Sequence, residues 1–470
     1  MFKYIVILHI LFLSSCSVGE NLEHYTAIKD KDVQETLNLS PNETKIKNNW
    51  YEIFNDNDLN TLLKHALSTN FSVKQGIERL KQSRLDLAIQ SKEYYPKLDI
   101  SADYKYNKSR NKTSYSYDIN DFSTGFNVTW ELDLWGKSNY VSEQYYQIMK
   151  NVEYSLFNIK TSITAEIILN YINLRLAQEK LRIANKNLTL QNDNLQTIKN
   201  KHASGIVDLL ALNQAEYTVQ KTKSTIPPLK IQIEKYKNSI ATLLGITPNK
   251  MPLNLDKYNK NITSYTFKYN TKKLYNLPLN VIRSRPDVMS AEASILSQNA
   301  VINEAITNLY PSLNLSASFG FISSSANNIF NSNNQNYGYS PGLTLPIWHW
   351  NQLKNNVELQ KHIREEYIVN YNEIMLTALM ELKTIIKTIE QSYITNQYTK
   401  NAFNKMQNIM ELTKNKYSNG LIEFTDVAQA EQDLLNAQNI LAESNAEILQ
   451  NITNFYKATG GGYNIITCKN

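Results

Sequence analysis

Four stretches of the chain alternate apolar and polar residues with a period of two. In the first, Leu98, Ile100, Ala102, Tyr104 and Tyr106 are interleaved with Asp99, Ser101, Asp103, Lys105 and Asn107. In the second, Phe126, Val128, Trp130, Leu132 and Leu134 are interleaved with Asn127, Thr129, Glu131 and Asp133. The third is Leu313, Leu315, Ala317, Phe319 and Phe321, and the fourth is Tyr339, Pro341, Leu343, Leu345 and Ile347. Successive strand residues point to opposite faces, so each stretch predicts a strand with one apolar and one polar side. The predicted strands are about 97–107, 122–135, 312–322 and 338–348, with polar loops over 108–121 and 322–337. Strands of this length and alternation carry the signature of transmembrane β-strands. Tyr104, Tyr106, Tyr339, Trp348 and Trp350 near their ends suit interfacial girdles.

The rest of the pattern is helical. A helix over 72–94 buries Val73, Ile77, Leu80, Leu87 and Ala88, and Pro96 stops it. Residues 138–203 contain neither Pro nor Gly; a helix of that length spans on the order of 100 Å. Ile167, Leu174, Leu181, Leu188 and Leu195 recur at heptad spacing, with Ala177, Ala184 and Ile198 on the same seam. A sustained heptad seam predicts coiled-coil packing. Gly205 follows as a C-terminal cap, and a returning helix covers 208–245. Pro227-Pro228 lies inside that returning helix and should kink or break it.

The pattern occurs twice at one constant offset. Tyr95-Pro96-Lys97-Leu98 recurs as Tyr310-Pro311-Ser312-Leu313, Trp135 as Trp350, Gln214-Ala215-Glu216 as Gln429-Ala430-Glu431, and Gly245 as Gly460. The second copy has its long helix over 353–418, its turn at Gly420 and its return over 424–459, with Ala442-Glu443 in place of the two prolines. Its seam is Leu382, Ile389, Asn396, Phe403 and Met410, with one polar interruption. The chain therefore divides into a signal segment 1–15, a leader 16–58, repeat one 59–247, a connector 248–273, repeat two 274–462 and a tail 463–470. The fold class is α+β, with two tandem repeats, each a β-hairpin plus long coiled-coil helices.

Composition narrows the function. Beyond the first residues no stretch is apolar enough for a transmembrane helix, so a membrane can be crossed only as a β-barrel. Four strands cannot close such a barrel, since the smallest have about eight. Either the strands do not span a membrane or several chains pool them, and the count alone allows two, three or four chains. The net charge of +6 is spread without a basic block, which argues against nucleic acid. The six His are scattered, and no nucleophile elbow, P-loop or HExxH occurs. No enzyme activity, cofactor or metal site is expected, and Met406 and Met410 read as packing. The two Cys, Cys16 and Cys468, give no disulfide framework.

Lys3, the apolar run 4–12 and Leu13-Ser14-Ser15-Cys16 form an export signal that resembles the bacterial lipobox. That resemblance implies cleavage before Cys16 and lipidation, including palmitate, of its thiol and new amino terminus. Ser17, where Asp would favour the inner membrane, implies the outer membrane.

Taken along its length, the chain resembles the TolC-like outer membrane factors of bacterial efflux systems, in their lipoprotein branch. The residues that carry the resemblance are Trp50, Phe54, Leu59, Tyr95-Pro96, Glu131-Leu132-Asp133-Leu134-Trp135-Gly136-Lys137 and Gly205. They continue with Ile226-Pro227-Pro228-Leu229, Leu243-Leu244-Gly245, Arg285-Pro286-Asp287-Val288 and Tyr310-Pro311-Ser312-Leu313. The resemblance implies a homotrimer whose strands form one twelve-stranded barrel, continuous with a periplasmic α-helical barrel. It implies an exit duct that meets a periplasmic adaptor and an inner-membrane pump of the RND type and passively exports drugs or other small toxic compounds. Type I protein secretion and metal-ion efflux use the same architecture and stay open. A coiled-coil surface stalk, structural or adhesive, is the reading from another class; it leaves the four alternating strands and the duplication unexplained.

In this family the helical turns form the periplasmic tip, which gates the pore and contacts the adaptor. The candidate residues are Gly205 and Asp208 at the first turn, and Gly420, Glu423, Asp426 and Gln429 at the second. In a trimer each acid would repeat as a ring, and carboxylate rings favour cations. The family often places two acids three residues apart after the second turn; Asp426 matches the first and Gln429 replaces the second. Asp208 and Glu423 also stand where acids complement helix N-termini. Arg285-Pro286-Asp287 reads as a helix start, with Pro286 at the first position.

Overall fold

The computed structural model describes residues 18–22, 26, 28–37, 49–110, 116–256, 277 and 280–462. Cys16, Cys468, most of the connector and the tail lie outside the described residues. The chain forms two compact units, one of Met1–Thr26, Arg79–Glu153 and Ser290–Tyr371, the other of Ala27–Glu78, Tyr154–Met289 and Asn372–Asn470.

The first unit holds the sheet. Strands β1 (Lys97–Arg110), β2 (Ser116–Leu132), β3 (Ser312–Ser323) and β4 (Gln335–Thr344) pair antiparallel in that order. The register aligns like with like. Leu98, Val128, Ala317 and Tyr339 form one row, and Ile100, Phe126, Phe319 and Tyr337 the next. Lys97, Thr129, Ser316 and Ser340 form a row on the opposite face. Among the described residues nothing covers the apolar face: Ile100 is 72% exposed and Tyr339 86%.

The first hairpin is longer than its hydropathy suggests. Residues 108–110 and 116–121, expected in a polar loop, are strand, and the ladder runs on to Arg110 opposite Ser116. Backbone pairing needs no apolar side chains, and the Lys108–Asp118 ion pair at 3.8 Å replaces them across the strands. On the second hairpin the strand starts earlier than expected, at Gln335, and ends at Thr344, because Pro346 cannot donate to a ladder.

Repeat motifs meet where strands give way to helices. The Asp133 carboxylate accepts from the backbone N–H of Lys137 (2.6 Å) and Ser138 (3.0 Å) and from the Ser138 hydroxyl. It caps the first turn of the helix after β2. Trp135 Nε1 donates to Pro311 O at 2.7 Å, and its ring lies 5.0 Å from that of Tyr310.

The helices are α1 (Asp30–Leu37), α2 (Asn57–Thr69), α3 (Phe71–Gln90), α4 (Lys137–Ala203), α5 (Leu209–Leu244), α6 (Pro286–Thr307), α7 (Trp350–Ser418) and α8 (Phe424–Ala458). The long ones, α4 and α7, have 67 and 69 residues. Helix α5 passes through Pro227 and Pro228 without the break that their ring geometry predicts. Each proline removes one amide donor, and the carbonyls released belong to Lys223 and Ser224, both exposed to water.

In the second unit the heptad seams are fully buried at Ile167, Leu174, Leu382 and Ile389, each 0% exposed, and half-buried at Leu181, Leu188, Leu195 and Phe403. The polar interruption Asn396 bonds to Ser444 Oγ (3.1 Å) and Asn445 Oδ1 (2.9 Å) on α8. A polar ladder flanks the α4–α8 seam: Asn173 with Gln450, Lys180 with Glu443, Asn187 with Gln438 and Asn194 with Glu431. The α4 members fall at heptad spacing, so the ladder fixes the register of the two helices as buried polar residues do in coiled coils.

Candidate functional site

The two turns that close the helical hairpins are built alike. Gly205 (φ +73°) and Gly420 (φ +72°) sit in the left-handed region just past α4 and α7. Ile206 N–H bonds to Lys201 O at 2.9 Å, and Leu421 N–H to Lys416 O at 3.0 Å. Gly205 N–H bonds to His202 O at 2.9 Å, and Gly420 N–H to Tyr417 O at 3.0 Å. This is the Schellman arrangement, which satisfies the last carbonyls of each helix. A Cβ on either glycine would meet nothing within 4 Å, so only the backbone angle requires glycine there.

The candidate acids do different things. Asp208 is the N-cap of α5, and its Oδ1 accepts from Ala211 N at 2.9 Å. Glu423 occupies the same position before α8 but makes no side-chain cap bond. Asp426 lies in the first turn of α8 and is exposed. Gln429 donates Nε2 to both oxygens of Asp433, at 3.0 and 3.1 Å. Asp433 was not singled out from sequence; it stands at heptad spacing from Asp426, and that spacing is the signal that would have found it.

Beneath the turns the chain packs a separate apolar cluster. Ile198, Ala215, Met410, Phe424, Val427 and Ala430 are buried in it, with Met406 and Tyr417 against it. The Tyr417 ring meets Phe424 edge-on at 5.9 Å, and Lys201 Nζ lies 4.8 Å from the Tyr417 ring. Thr425 Oγ1 donates to Gln214 Oε1 at 3.0 Å, joining α8 to α5 across the repeats. The first turn has a polar brace instead, His202 Nδ1 with Val207 O at 2.9 Å.

One buried acid borders this cluster. Glu431 is 7% exposed and accepts from Asn194 Nδ2. Burial raises its pKa; Lys414 and the Asn194 bond oppose the shift. Its repeat counterpart Glu216 is half exposed and pairs with Lys199 at 3.3 Å. Apolar side chains also stand in solvent at the turns: Ile206 and Leu421 are each 70% exposed, and Leu209 59%.

Arg285-Pro286-Asp287 opens α6 as the sequence predicts, and Arg285 adds long-range ties. Its guanidinium forks onto Asp287 (2.8 and 3.1 Å), reaches Glu381 Oε2 on α7 at 2.9 Å and donates to Ala458 O at 2.7 Å. It ties the start of α6 to α7 and to the end of α8, contacts between segments far apart in sequence. Among the described residues no group of three or more His, Cys, Asp or Glu could hold a metal ion.

Comparison with known proteins follows this geometry. The family model described as outer membrane efflux protein matches residues 62–246 and 277–461, one match in each copy. Cation efflux system protein CusC of Escherichia coli O6:H1 (strain CFT073) is 23% identical over 414 residues, covering 88% of this chain and 88% of its own. Solvent efflux pump outer membrane protein SrpC of Pseudomonas putida is 24% identical over 431 residues, covering 88% of this chain and 87% of its own. The solved Campylobacter jejuni CmeC outer membrane channel matches with a TM-score of 0.83 at 24% identity over 95% of each chain, which is a likeness of fold.

Proposed function

The chain belongs to the outer membrane efflux protein family, and on that premise we propose that three copies form one exit duct that releases drugs or other small toxic compounds. It is an outer-membrane channel, and export through it needs no chemistry from its own side chains. The sheet supports the pooling of strands from several copies, and the number three comes from the family that the chain resembles. Among the described residues the sheet has four strands, β1 and β4 have no strand on their outer sides, and its apolar face is bare. Open edges are not tolerated in lipid, and twelve strands from three copies close a barrel of ordinary size.

Cys16 carries the lipid anchor in this reading, supported by the lipobox-like segment before it. The turns at Gly205 and Gly420 form the periplasmic tip. Exposed Ile206, Leu209 and Leu421 give it an apolar surface suited to a protein partner, the periplasmic adaptor, with an inner-membrane pump behind it. Glu423 and Asp426 face the pore entrance as carboxylate rings. Relatives named for cations and for solvents are equally distant, so the cargo class rests on the lipoprotein branch that the chain resembles.

The test is conductance and sensitivity together. Purified protein in planar bilayers should form discrete channels, and a deletion strain should become sensitive to several unrelated small compounds. Hypersensitivity to one metal ion alone would replace the cargo assignment, and loss of a single secreted polypeptide would assign the duct to protein secretion.

A further inference from the structure

Residues 19 and 20, just past Cys16, are seated in a built groove. Glu20 N–H donates to Asn303 Oδ1 at 2.9 Å, and Asn303 Nδ2 donates to Glu20 O at 3.4 Å. One side-chain amide thus satisfies both backbone groups of a single residue, as a strand neighbour would. Asn303, on α6, is only 7% exposed. The Glu20 carboxylate pairs with Lys361 Nζ on α7 at 2.9 Å, the largest cause of a raised Lys361 pKa. At Gly19 the fit is close: a Cβ would lie 2.6 Å from the Tyr140 hydroxyl on α4 and 3.0 Å from Asn303, so a side chain there would have to displace both. Three helices of the strand-bearing unit therefore grip two residues of an otherwise polar leader.

We infer that Tyr140, Asn303 and Lys361 form a dock for Gly19–Glu20 that fixes the height of the lipid anchor relative to the barrel. The inference rests on Cys16 carrying lipid. The arithmetic separates a strut from a leash. From Glu20 back to Cys16 the chain can extend at most about 14 Å. Without the dock, a tether from Ile28, whose carbonyl accepts from Arg283 Nη2 at 3.4 Å, back to Cys16 could reach about 42 Å. Asn303 is one turn, about 6 Å, before the end of α6, and β3 begins at Ser312. The dock therefore delivers the acyl chains to the leaflet that β3 enters, and a polar amide fulfils the backbone of the segment where no sheet is available.

The experiment uses mature full-length protein in phosphatidylethanolamine–phosphatidylglycerol liposomes. Amide exchange is read on the peptide holding residues 18–22, and the mass of the N-terminal peptide reports lipidation separately. Asn303→Ala and Glu20→Lys should speed exchange there about tenfold, and the swap Glu20→Lys with Lys361→Glu should restore the slow rate. A nitroxide on Val18→Cys, in a Cys468→Ser background, should show one narrow distance to nickel-chelating headgroups, broadened by Asn303→Ala. Fast exchange at 18–22 in the native protein, or identical distance distributions with and without Asn303→Ala, overturns the dock. Slow exchange with an unmodified Cys16 overturns the anchor reading and with it the height-setting role.

Discussion

Gly125 and Gly320 stand directly opposite each other across β2 and β3, and their backbones approach too closely for a side chain on either. A Cβ on Gly125 would lie 2.6 Å from Phe319 O and 2.7 Å from the Gly320 Cα. Both are on the polar face of the sheet, where glycines allow two backbones to approach closely. Gly125→Val should cost about 1–3 kcal/mol and reduce the heat-modifiable folded fraction on gels. Gly342→Ala is the control: its Cβ would have 3.9 Å to Asn314 O, and folding should be unchanged.

Arg285→Ala should destabilise the helical unit by on the order of 3 kcal/mol, because it strands Asp287 and Ala458 O in a half-buried site. Arg285→Lys keeps the charge but not the fork, and should recover only part of that loss. Chemical denaturation of the purified protein, read by far-UV circular dichroism, measures both.

Asp426 and Asp208, both near the turns, should separate by function. Asp426→Asn should lower the cation-to-anion permeability ratio roughly twofold without changing stability. Asp208→Ala should cost about 1 kcal/mol, since it removes the cap bond to Ala211 N, and should leave selectivity alone. Reversal potentials across a salt gradient, alongside thermal melting, separate the two outcomes.

Glu431 gives the helical unit a pH dependence of defined sign. Its folded pKa lies above the ordinary carboxylate value because burial penalises the charge. The folded protein therefore binds more protons than the unfolded chain, and stability falls as pH rises through that interval. Glu431→Gln keeps the Asn194 contact and removes the charge, so it should flatten the fall and raise the melting temperature at neutral pH. Melting curves across pH 4–8, about the range concerned, provide the comparison.

Period alone carried most of the architecture. Alternation at Leu98–Tyr106 and Leu313–Phe321, the heptads from Ile167 to Leu195, and the recurrence of Tyr95-Pro96 as Tyr310-Pro311 specify strands, long helices and a duplication. Each depends on residues near one another in the chain, or on comparing the chain with itself. What remained needed partners distant in sequence. Residues 116–121 look like loop because most of them are polar, yet they pair, because a ladder is made by backbone. Pro227 and Pro228 look like a kink or a break, yet the helix continues through them, and the residues whose carbonyls they release, Lys223 and Ser224, are exposed. Asp208 and Glu423 look equivalent and both are exposed, and only the bonding shows that Asp208 caps its helix with its side chain and Glu423 does not. Arg285 with Ala458, Asn194 with Glu431 and Glu20 with Asn303 lie far apart along the chain. No local pattern encodes such pairs; packing selects them, and packing exists only once the helices are side by side.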